Sequence, residues 1–302
     1  MTKVKPRRKV RWIIPLFLIP SFVVYSIFFV YPAIDAFRIA AYEWTGFGEN
    51  AKFVGFRNFA EAFRDRILRV SIANNFIIML VGGSVLFILA MYFAVILTTP
   101  KVKGKRLLRT VLFFPYSVNV VGVAFLWLFA LNPQFGAVNG ALEALGLGNL
   151  TQVWFGSRKM AIACIIWIII WMVIGFYTIL LQSGIDNIPQ ELLDAASVDG
   201  AQGFTLFWRI TLPLLRDVLA VAVTYWMIQA LKIFGIIYAT TRGAPASETH
   251  SVATYMFEIA MPYQEAVYRF GYGTAIAVLQ FILIVAMSAL FFRFTRREAV
   301  EF

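Results

Sequence analysis

The sequence has one cysteine, one histidine and only 14% charged residues, and each scarcity excludes a class of protein. Because Cys164 is the only cysteine, the chain cannot form an internal disulfide, and its position in an apolar run is typical of a small buried hydrophobe. His250 has no array of histidines, cysteines or carboxylates beside it, so the ligand count argues against a metal site. The sparse ionisable groups also argue against an enzyme embedded in the membrane.

The sequence lacks a phosphate-binding loop as well. A Walker A motif needs Gly-Lys followed by Ser or Thr, and the only Gly-Lys, at Gly104, is followed by Arg106. We therefore expect no nucleotide or other cofactor to be held by this chain. If ATP and Mg drive it, they belong to a separate subunit.

Apolar residues are abundant and come in blocks. Hydrophobic residues make up 61% of the chain, its mean hydropathy is +0.77, and thirty residues are Phe. Blocks of about 20 residues are long enough to cross a bilayer as helices. The pattern predicts an all-α polytopic membrane protein with one transmembrane domain over residues 1–302. Its predicted spans are residues 12–31, 74–97, 110–131, 160–182, 218–237 and 271–292.

The distribution of Lys and Arg predicts the orientation. The formal net charge is +11 at pH 7, and cytoplasmic segments of membrane proteins are enriched in Lys and Arg. Residues 3–11, 98–109 and 293–297 are basic and contain no acid. We therefore expect both termini on the cytoplasmic side. No basic stretch carries a nucleic-acid-reading motif, so no nucleic-acid partner is expected.

The segment of residues 183–217 is the polar, acid-bearing connection between the fourth and fifth spans. Polar backbone and carboxylates are too costly to place in lipid, so the segment lies in water, on the cytoplasmic side by the charge pattern. Pro189 and Glu191 suit the first turn of a helix, and Gly200 suits a sharp turn after it. A second short helix is expected through Phe204 and Trp208, before the chain re-enters the membrane at Pro213.

The motif in this segment carries a resemblance. Residues Asp194-Ala195-Ala196, Asp199-Gly200-Ala201 and Leu212-Pro213 resemble the EAA motif of ABC importer permeases of the carbohydrate-uptake type. That branch usually has Glu where this chain has Asp194, which keeps the charge on a shorter side chain.

Three other segments are similar to the same family. They are Phe53 to Phe59, Phe113 to Tyr116, and Phe234 to Tyr238. The last is followed by Arg242 where the family commonly has Gly. The resemblance covers nearly the whole chain and is stronger to the MalF-like member of a sugar-permease pair.

The resemblance implies a function and a set of partners. The chain would be a non-catalytic permease subunit of an ATP-driven importer for a carbohydrate or polyol in a bacterial or archaeal cytoplasmic membrane. It would pair as a heterodimer with a second, homologous permease, bind two ABC ATPase subunits, and receive substrate from an extracytoplasmic solute-binding protein. The ATPase would be contacted by the coupling residues Glu191, Asp194, Ala195, Ala196, Asp199 and Gly200.

The resemblance also implies a substrate path near the middle of the bilayer. Its implied lining residues on the fourth and fifth spans are Met172, Val173, Phe176, Trp226, Gln229, Ala230 and Ile233. Aromatic faces suit a sugar ring and Gln229 can hydrogen-bond hydroxyls. Alternatively, the aromatic residues pack between helices and Gln229 bonds a neighbouring helix.

Lys232 is a nearly isolated charge within the predicted spans. A charge at membrane depth marks a pathway by default. If Lys232 faces the cavity, it favours an anionic substrate; otherwise it extends to the outer headgroups. His250, Glu248 and Thr249, in a predicted external loop, either contact the binding protein or are simply solvated.

The alternative function is a secondary transporter driven by an ion gradient. Such transporters typically carry several ionisable residues within the membrane to couple the ion. No carboxylate lies deep in a predicted span here, which favours the ATP-driven importer.

Overall fold

The computed structural model describes residues 10–99, 102–262 and 268–295, and this part of the chain is almost entirely helical. Two strands of two residues each, β1 (Tyr42–Glu43) and β2 (Lys52–Phe53), pair antiparallel. The helices, in chain order, are α1 (Val10–Tyr25), α2 (Tyr31–Ile39), α3 (Arg57–Arg64), α4 (Arg66–Ile77), α5 (Gly83–Thr98), α6 (Lys105–Ser117), α7 (Val120–Ala130), α8 (Ala137–Ala144), α9 (Arg158–Asp186), α10 (Gln190–Val198), α11 (Gly203–Leu206), α12 (Leu212–Leu214), α13 (Arg216–Leu231), α14 (Gly235–Thr240), α15 (Val252–Ala260) and α16 (Phe270–Thr295). The predicted all-helical class is confirmed.

Five helical stretches are long and apolar enough to cross a membrane, and a bent pair of helices raises the number to six within the described residues. The stretches are Leu16–Ile39, Arg66–Thr98, Arg158–Asp186, Arg216–Thr240 and Phe270–Phe294. Each overlaps one of the predicted spans, and the bent pair overlaps the remaining one. The chain is therefore a multi-pass helical membrane protein.

The third span differs from the prediction. We predicted one helix over residues 110–131, whereas α6 and α7 meet at a bend of 100°. The chain is extended at Val118, and the side chain of Asn119 accepts a hydrogen bond of 2.9 Å from the Val121 N–H. Because this cap satisfies a free donor at the start of α7, a new helix begins there instead of continuing α6.

The second span begins before the predicted residue 74. Asp65 caps α4, and its Oδ1 accepts hydrogen bonds from the N–H groups of Ile67 and Leu68. This capping places the start of the helix at Arg66. A π-helical turn, Ile78–Gly82, joins α4 to α5.

The fifth span is also interrupted. Helix α13 ends at Leu231 and α14 begins at Gly235, so Lys232 to Phe234 leave the helical path. We predicted one helix over residues 218–237. The interruption is stabilised by hydrogen bonds from side chains elsewhere in the sequence.

The chain divides into two compact units. The first takes its described residues from Met1–Arg64 and Glu258–Leu279. In it, the Asn58 side chain donates hydrogen bonds of 2.8 and 2.9 Å to the carbonyls of Ala40 and Tyr42. Arg269 pairs with Glu61 at 2.7 Å. These contacts join α3 to the chain around the β1–β2 hairpin and to the segment that leads into α16.

The second unit takes its described residues from Asp65–Phe257 and Gln280–Phe302. Helix α9 lies at its centre, with α5, α6 and α13 packed on it. Buried side chains on α9 include Ile165, Ile168, Tyr177 and Leu181. Two features that concern function adjoin this core: the loop that follows α9, and a cavity beside α9 and α13.

Candidate functional site

Helix α10 lies in the segment between the fourth and fifth spans, which we predicted to be cytoplasmic. It begins after Pro189, whose extended backbone (φ −54°, ψ 127°) precedes the first turn. Glu191 lies in that turn, where a carboxylate interacts favourably with the helix dipole. Gln190 donates a hydrogen bond of 2.9 Å from Nε2 to Asp194 Oδ1, one turn further on. The predicted short helix is therefore present, with its acids on a defined helical surface.

Gly200 ends α10 in a left-handed turn. Its φ is +86°, a conformation that residues with a Cβ rarely adopt. The N–H of Gly200 donates to the Ser197 carbonyl at 3.1 Å, and the N–H of Ala201 donates to the Ala196 carbonyl at 2.9 Å. This pair of bonds is the Schellman ending, which satisfies the last carbonyls of a helix. The glycine predicted to allow a sharp turn does so.

The surface around α10 is exposed and partly apolar. Most of its side chains, including Glu191, Asp194 and Ala195, are exposed, whereas Ala196 is buried. Val198 is 88% exposed, and Phe204 in α11 is 77% exposed. Phe204 contacts Trp208 edge to face at 5.8 Å. Large apolar side chains exposed together next to acids are typical of an interaction surface.

A second feature is a cavity of about 300 Å³ beside α9 and α13. All of the predicted path residues line it, namely Met172, Val173, Phe176, Trp226, Gln229, Ala230, Lys232 and Ile233. The structure therefore brings together the side chains that the resemblance implied and Lys232, which its charge had indicated. Their role in binding substrate stays a prediction.

Three tyrosines also line the cavity and were not among the predicted residues: Tyr116, Tyr177 and Tyr225. Tyr116 stacks on Phe176 with ring centroids 5.1 Å apart, and Tyr225 lies 5.6 Å from the same ring. Spacing along the fifth span could have indicated Tyr225, which is four residues before Gln229. Tyr116 lies near the end of α6, and this end of the helix borders the cavity. A straight third span, as predicted, would not have indicated that position.

The contacts separate the roles of two predicted residues. Trp226 is only 4% exposed, and its indole N–H donates a hydrogen bond of 2.8 Å to the Met79 carbonyl. It is therefore a packing residue at the base of the cavity. Gln229 is half-buried and donates to the Tyr225 hydroxyl at 3.2 Å. This bond lies within α13, so the amide is not committed to a neighbouring helix.

Lys232 lies at the interruption of the fifth span. It follows the last residue of α13, with φ −98° and ψ 16°, and its side chain is exposed. Lys232 takes part in none of the ion pairs between described residues.

The residues predicted as a third external loop behave differently from a solvated loop. Thr249 and His250 are buried, with exposed fractions of 0% and 4%. Glu248 pairs with Arg66 at 3.0 Å. The first two side chains are therefore structural and are not available to a soluble partner.

Comparison with known proteins gives consistent matches. Residues 87–300 match the family model described as "binding-protein-dependent transport system inner membrane component". The chain is 32% identical over 281 residues to the trehalose/maltose transport system permease protein MalF of Thermococcus litoralis, covering 93% of this chain and 92% of the relative. It is 31% identical to the diacetylchitobiose uptake system permease protein NgcF of Streptomyces coelicolor, covering 90% and 79%.

One solved structure shares the fold over nearly its full length. It is a chain of a bacterial alginate ABC transporter in complex with an alginate pentasaccharide-bound periplasmic protein. The TM-score is 0.83 at 21% identity, and the match covers 96% of each chain.

Proposed function

Since the chain belongs to the family of binding-protein-dependent transport system inner membrane components, we propose that it is the permease subunit of an ATP-driven importer for a sugar or related polyol. The relatives named above for trehalose and maltose and for diacetylchitobiose support the substrate class. The subunit is a transport component of the inner membrane and carries out no bond chemistry of its own.

The exposed α10 surface is the observation that carries the ATP-driven part of the proposal. A membrane protein that keeps a short, capped helix with acids and exposed apolar side chains in water presents it to a partner. Glu191, Asp194 and Asp199 are suited to a basic groove. Val198 and Phe204 are exposed, and a partner bound here would remove their apolar surface from water. We assign this groove to an ABC ATPase, which binds the ATP and Mg.

Coupling then follows from the connection of α10 to the core. Helix α9 ends at Asp186, only a few residues before α10, and it lines the cavity with Met172 and Phe176. A displacement of α10 by closure of an ATPase dimer is therefore transmitted to the cavity through a rigid helix. This is a two-state transition biased by a partner, as alternating access requires.

The remaining partners complete the transporter. As the resemblance implies, we place a second, homologous permease beside this chain as a heterodimer. Two ATPase subunits bind on the cytoplasmic side, where both termini also lie. A solute-binding protein delivers the sugar from outside. In this arrangement Phe176 and Tyr116 offer ring faces to the sugar and Gln229 offers hydrogen bonds.

The test is co-purification of an ATPase with the chain solubilised in mild detergent. Wild type is compared with Asp194→Arg, which reverses the charge, and with Gly200→Pro, which is incompatible with the left-handed turn. The exposed acid Glu143 in α8, changed to Arg, serves as the matched control. We expect wild type and the control to retain the ATPase and both α10 variants to lose it while they remain in the membrane. No bound ATPase in wild type, together with ion-driven uptake, would establish the secondary transporter instead.

A further inference from the structure

Lys232 is the one charged side chain among the described residues that line the cavity. The rest of the lining is aromatic or aliphatic apart from Gln229. The described lining residues include no carboxylate. Lys232 takes part in none of the ion pairs formed between described residues. A cation at the edge of an apolar cavity whose described lining contains no acid favours an anion there.

The backbone on the N-terminal side of Lys232 is held by two buried amides. Asn75 donates hydrogen bonds of 2.8 Å to the carbonyls of both Ala230 and Leu231. Gln280 donates a further bond of 2.7 Å to the Leu231 carbonyl. These are carbonyls that the end of α13 leaves without helical partners.

The C-terminal side is held in the same way. The Ser251 hydroxyl donates a bond of 2.6 Å to the Ile233 carbonyl. Asn75 is itself fixed, because its Oδ1 accepts a bond of 2.9 Å from the Val252 N–H. Asn75, Gln280 and Ser251 are all buried. We call these three residues the carbonyl clasp.

The clasp makes the interruption of the fifth span a fixed feature. A break in a membrane helix is tolerated only where its free backbone groups find other partners. Here side chains from α4, from α16 and from the segment before α15 supply them. The clasp therefore holds the backbone of Lys232 out of the helix and at the cavity.

On this geometry, and resting on the proposed function, we propose that Lys232 is a specificity-determining residue that selects an anionic group on the transported carbohydrate. The group is a carboxylate, sulfate or phosphate, which are the anions that an ammonium pairs with. The clasp residues act as positioning residues, since they touch the backbone beside Lys232 and not the substrate.

The experiment measures the charge preference of the cavity with two small reagents. The full chain, in its purified assembly, carries Cys164→Ser and Gln229→Cys, so that the only thiol of this chain lies in the cavity, three residues before Lys232. Rates of modification are measured for a methanethiosulfonate that bears a sulfonate and for one that bears a trimethylammonium group. Because Gln229 and Lys232 line the same cavity, we expect Lys232→Gln to lower the ratio of the two rates by about fivefold.

Three variants control the measurement. Lys232→Arg keeps the charge and should keep the ratio. Lys159→Gln removes an exposed lysine that does not line the cavity and should also leave the ratio unchanged. Gln280→Met removes one bond of the clasp at similar volume and should lower the ratio part of the way. An equal ratio in Lys232→Gln and its parent would overturn the proposal.

Lipid is the competing source of an anion, and nanodiscs distinguish it. The ratios are measured in phosphatidylcholine alone and with added phosphatidylglycerol. We expect the effect of Lys232→Gln to be the same in both. An effect that disappears with phosphatidylglycerol would mean that lipid headgroups neutralise Lys232, and would overturn the assignment to substrate. Neither reagent depends on a bound ATPase, so this result is separate from the co-purification test.

Discussion

The indole N–H of Trp226 donates a hydrogen bond of 2.8 Å to the carbonyl of Met79, in the π-helical turn of the second span. The indole ring packs against Gly83, just after that turn. A Cβ added at Gly83 would overlap the indole nitrogen and lie 2.9 Å from Trp226 Cδ1. The second and fifth spans therefore approach each other at a glycine, as small residues allow in membranes.

This close approach predicts that Gly83→Ala destabilises the protein. The added methyl group must displace a large, hydrogen-bonded ring, and such overpacking typically costs about 1–3 kcal/mol. The thermal midpoint in detergent, read by size-exclusion chromatography, should fall by several degrees. Gly140→Ala in α8 is the matched control, because a Cβ there meets no other atom within 4 Å.

A double-mutant cycle gives a sharper result. Trp226→Phe removes the indole nitrogen that the Gly83 methyl group would overlap. We expect Gly83→Ala to lower the thermal midpoint less in the Trp226→Phe protein than in wild type. Equal costs in the two backgrounds would contradict the contact.

The buried amide of Asn75 predicts a large effect on stability. Asn75→Leu has a similar volume but leaves the carbonyls of Ala230 and Leu231 and the N–H of Val252 without this partner. Each buried polar group left unpaired costs about 1–3 kcal/mol. The thermal midpoint should fall well below that of Asn149→Leu, which changes an exposed asparagine in the loop after α8. Similar midpoints for the two variants would argue against the clasp.

The left-handed turn at Gly200 predicts a graded loss of ATPase binding among substitutions at this position. Asn tolerates the left-handed conformation better than other residues with a Cβ, and β-branched Val tolerates it poorly. Space is not limiting, since a Cβ at Gly200 meets no other atom within 4 Å. We therefore expect ATPase retention in co-purification to fall in the order Gly, Asn, Val. Full retention by Gly200→Val would show that the turn is not needed for docking.

The aromatic cavity predicts separable effects on transport. Phe176→Leu removes the ring that stacks on Tyr116, and Gln229→Ala removes the amide. Each should raise the substrate concentration that gives half-maximal uptake, by about tenfold for a contribution of 1–2 kcal/mol. Trp167→Leu, at an exposed residue of α9 that does not line the cavity, should leave uptake unchanged. Unchanged uptake in both cavity variants, Phe176→Leu and Gln229→Ala, would remove these two residues from the substrate path.

The features that could be predicted from the sequence are those with a local signal. Apolar blocks indicate the spans, and the sequence from Pro189 to Gly200 indicates a short helix with a glycine turn. Apart from Lys232, which its charge indicated, the predicted cavity residues were found only through the resemblance, because no local pattern joins Met172 on the fourth span to Gln229 on the fifth.

The features that could not be predicted depend on distant contacts. The interruption at Lys232 is stabilised by Asn75, Gln280 and Ser251, which lie far from it in the sequence. The bend before α7 depends on one asparagine, Asn119, within an otherwise apolar run. Hydropathy averages over such a residue, so a single straight span was predicted.

Uptake into proteoliposomes distinguishes an ATP-driven importer from a transporter driven by an ion gradient. The chain is reconstituted with its partner permease and ATPase, and uptake of the saccharide carried by the binding protein is measured with ATP inside, with a non-hydrolysable analogue inside, and with an imposed proton or sodium gradient alone. We expect uptake only with ATP inside, and we expect Asp194→Arg to abolish it. Uptake driven by an ion gradient without ATP, and unaffected by Asp194→Arg, would contradict this expectation.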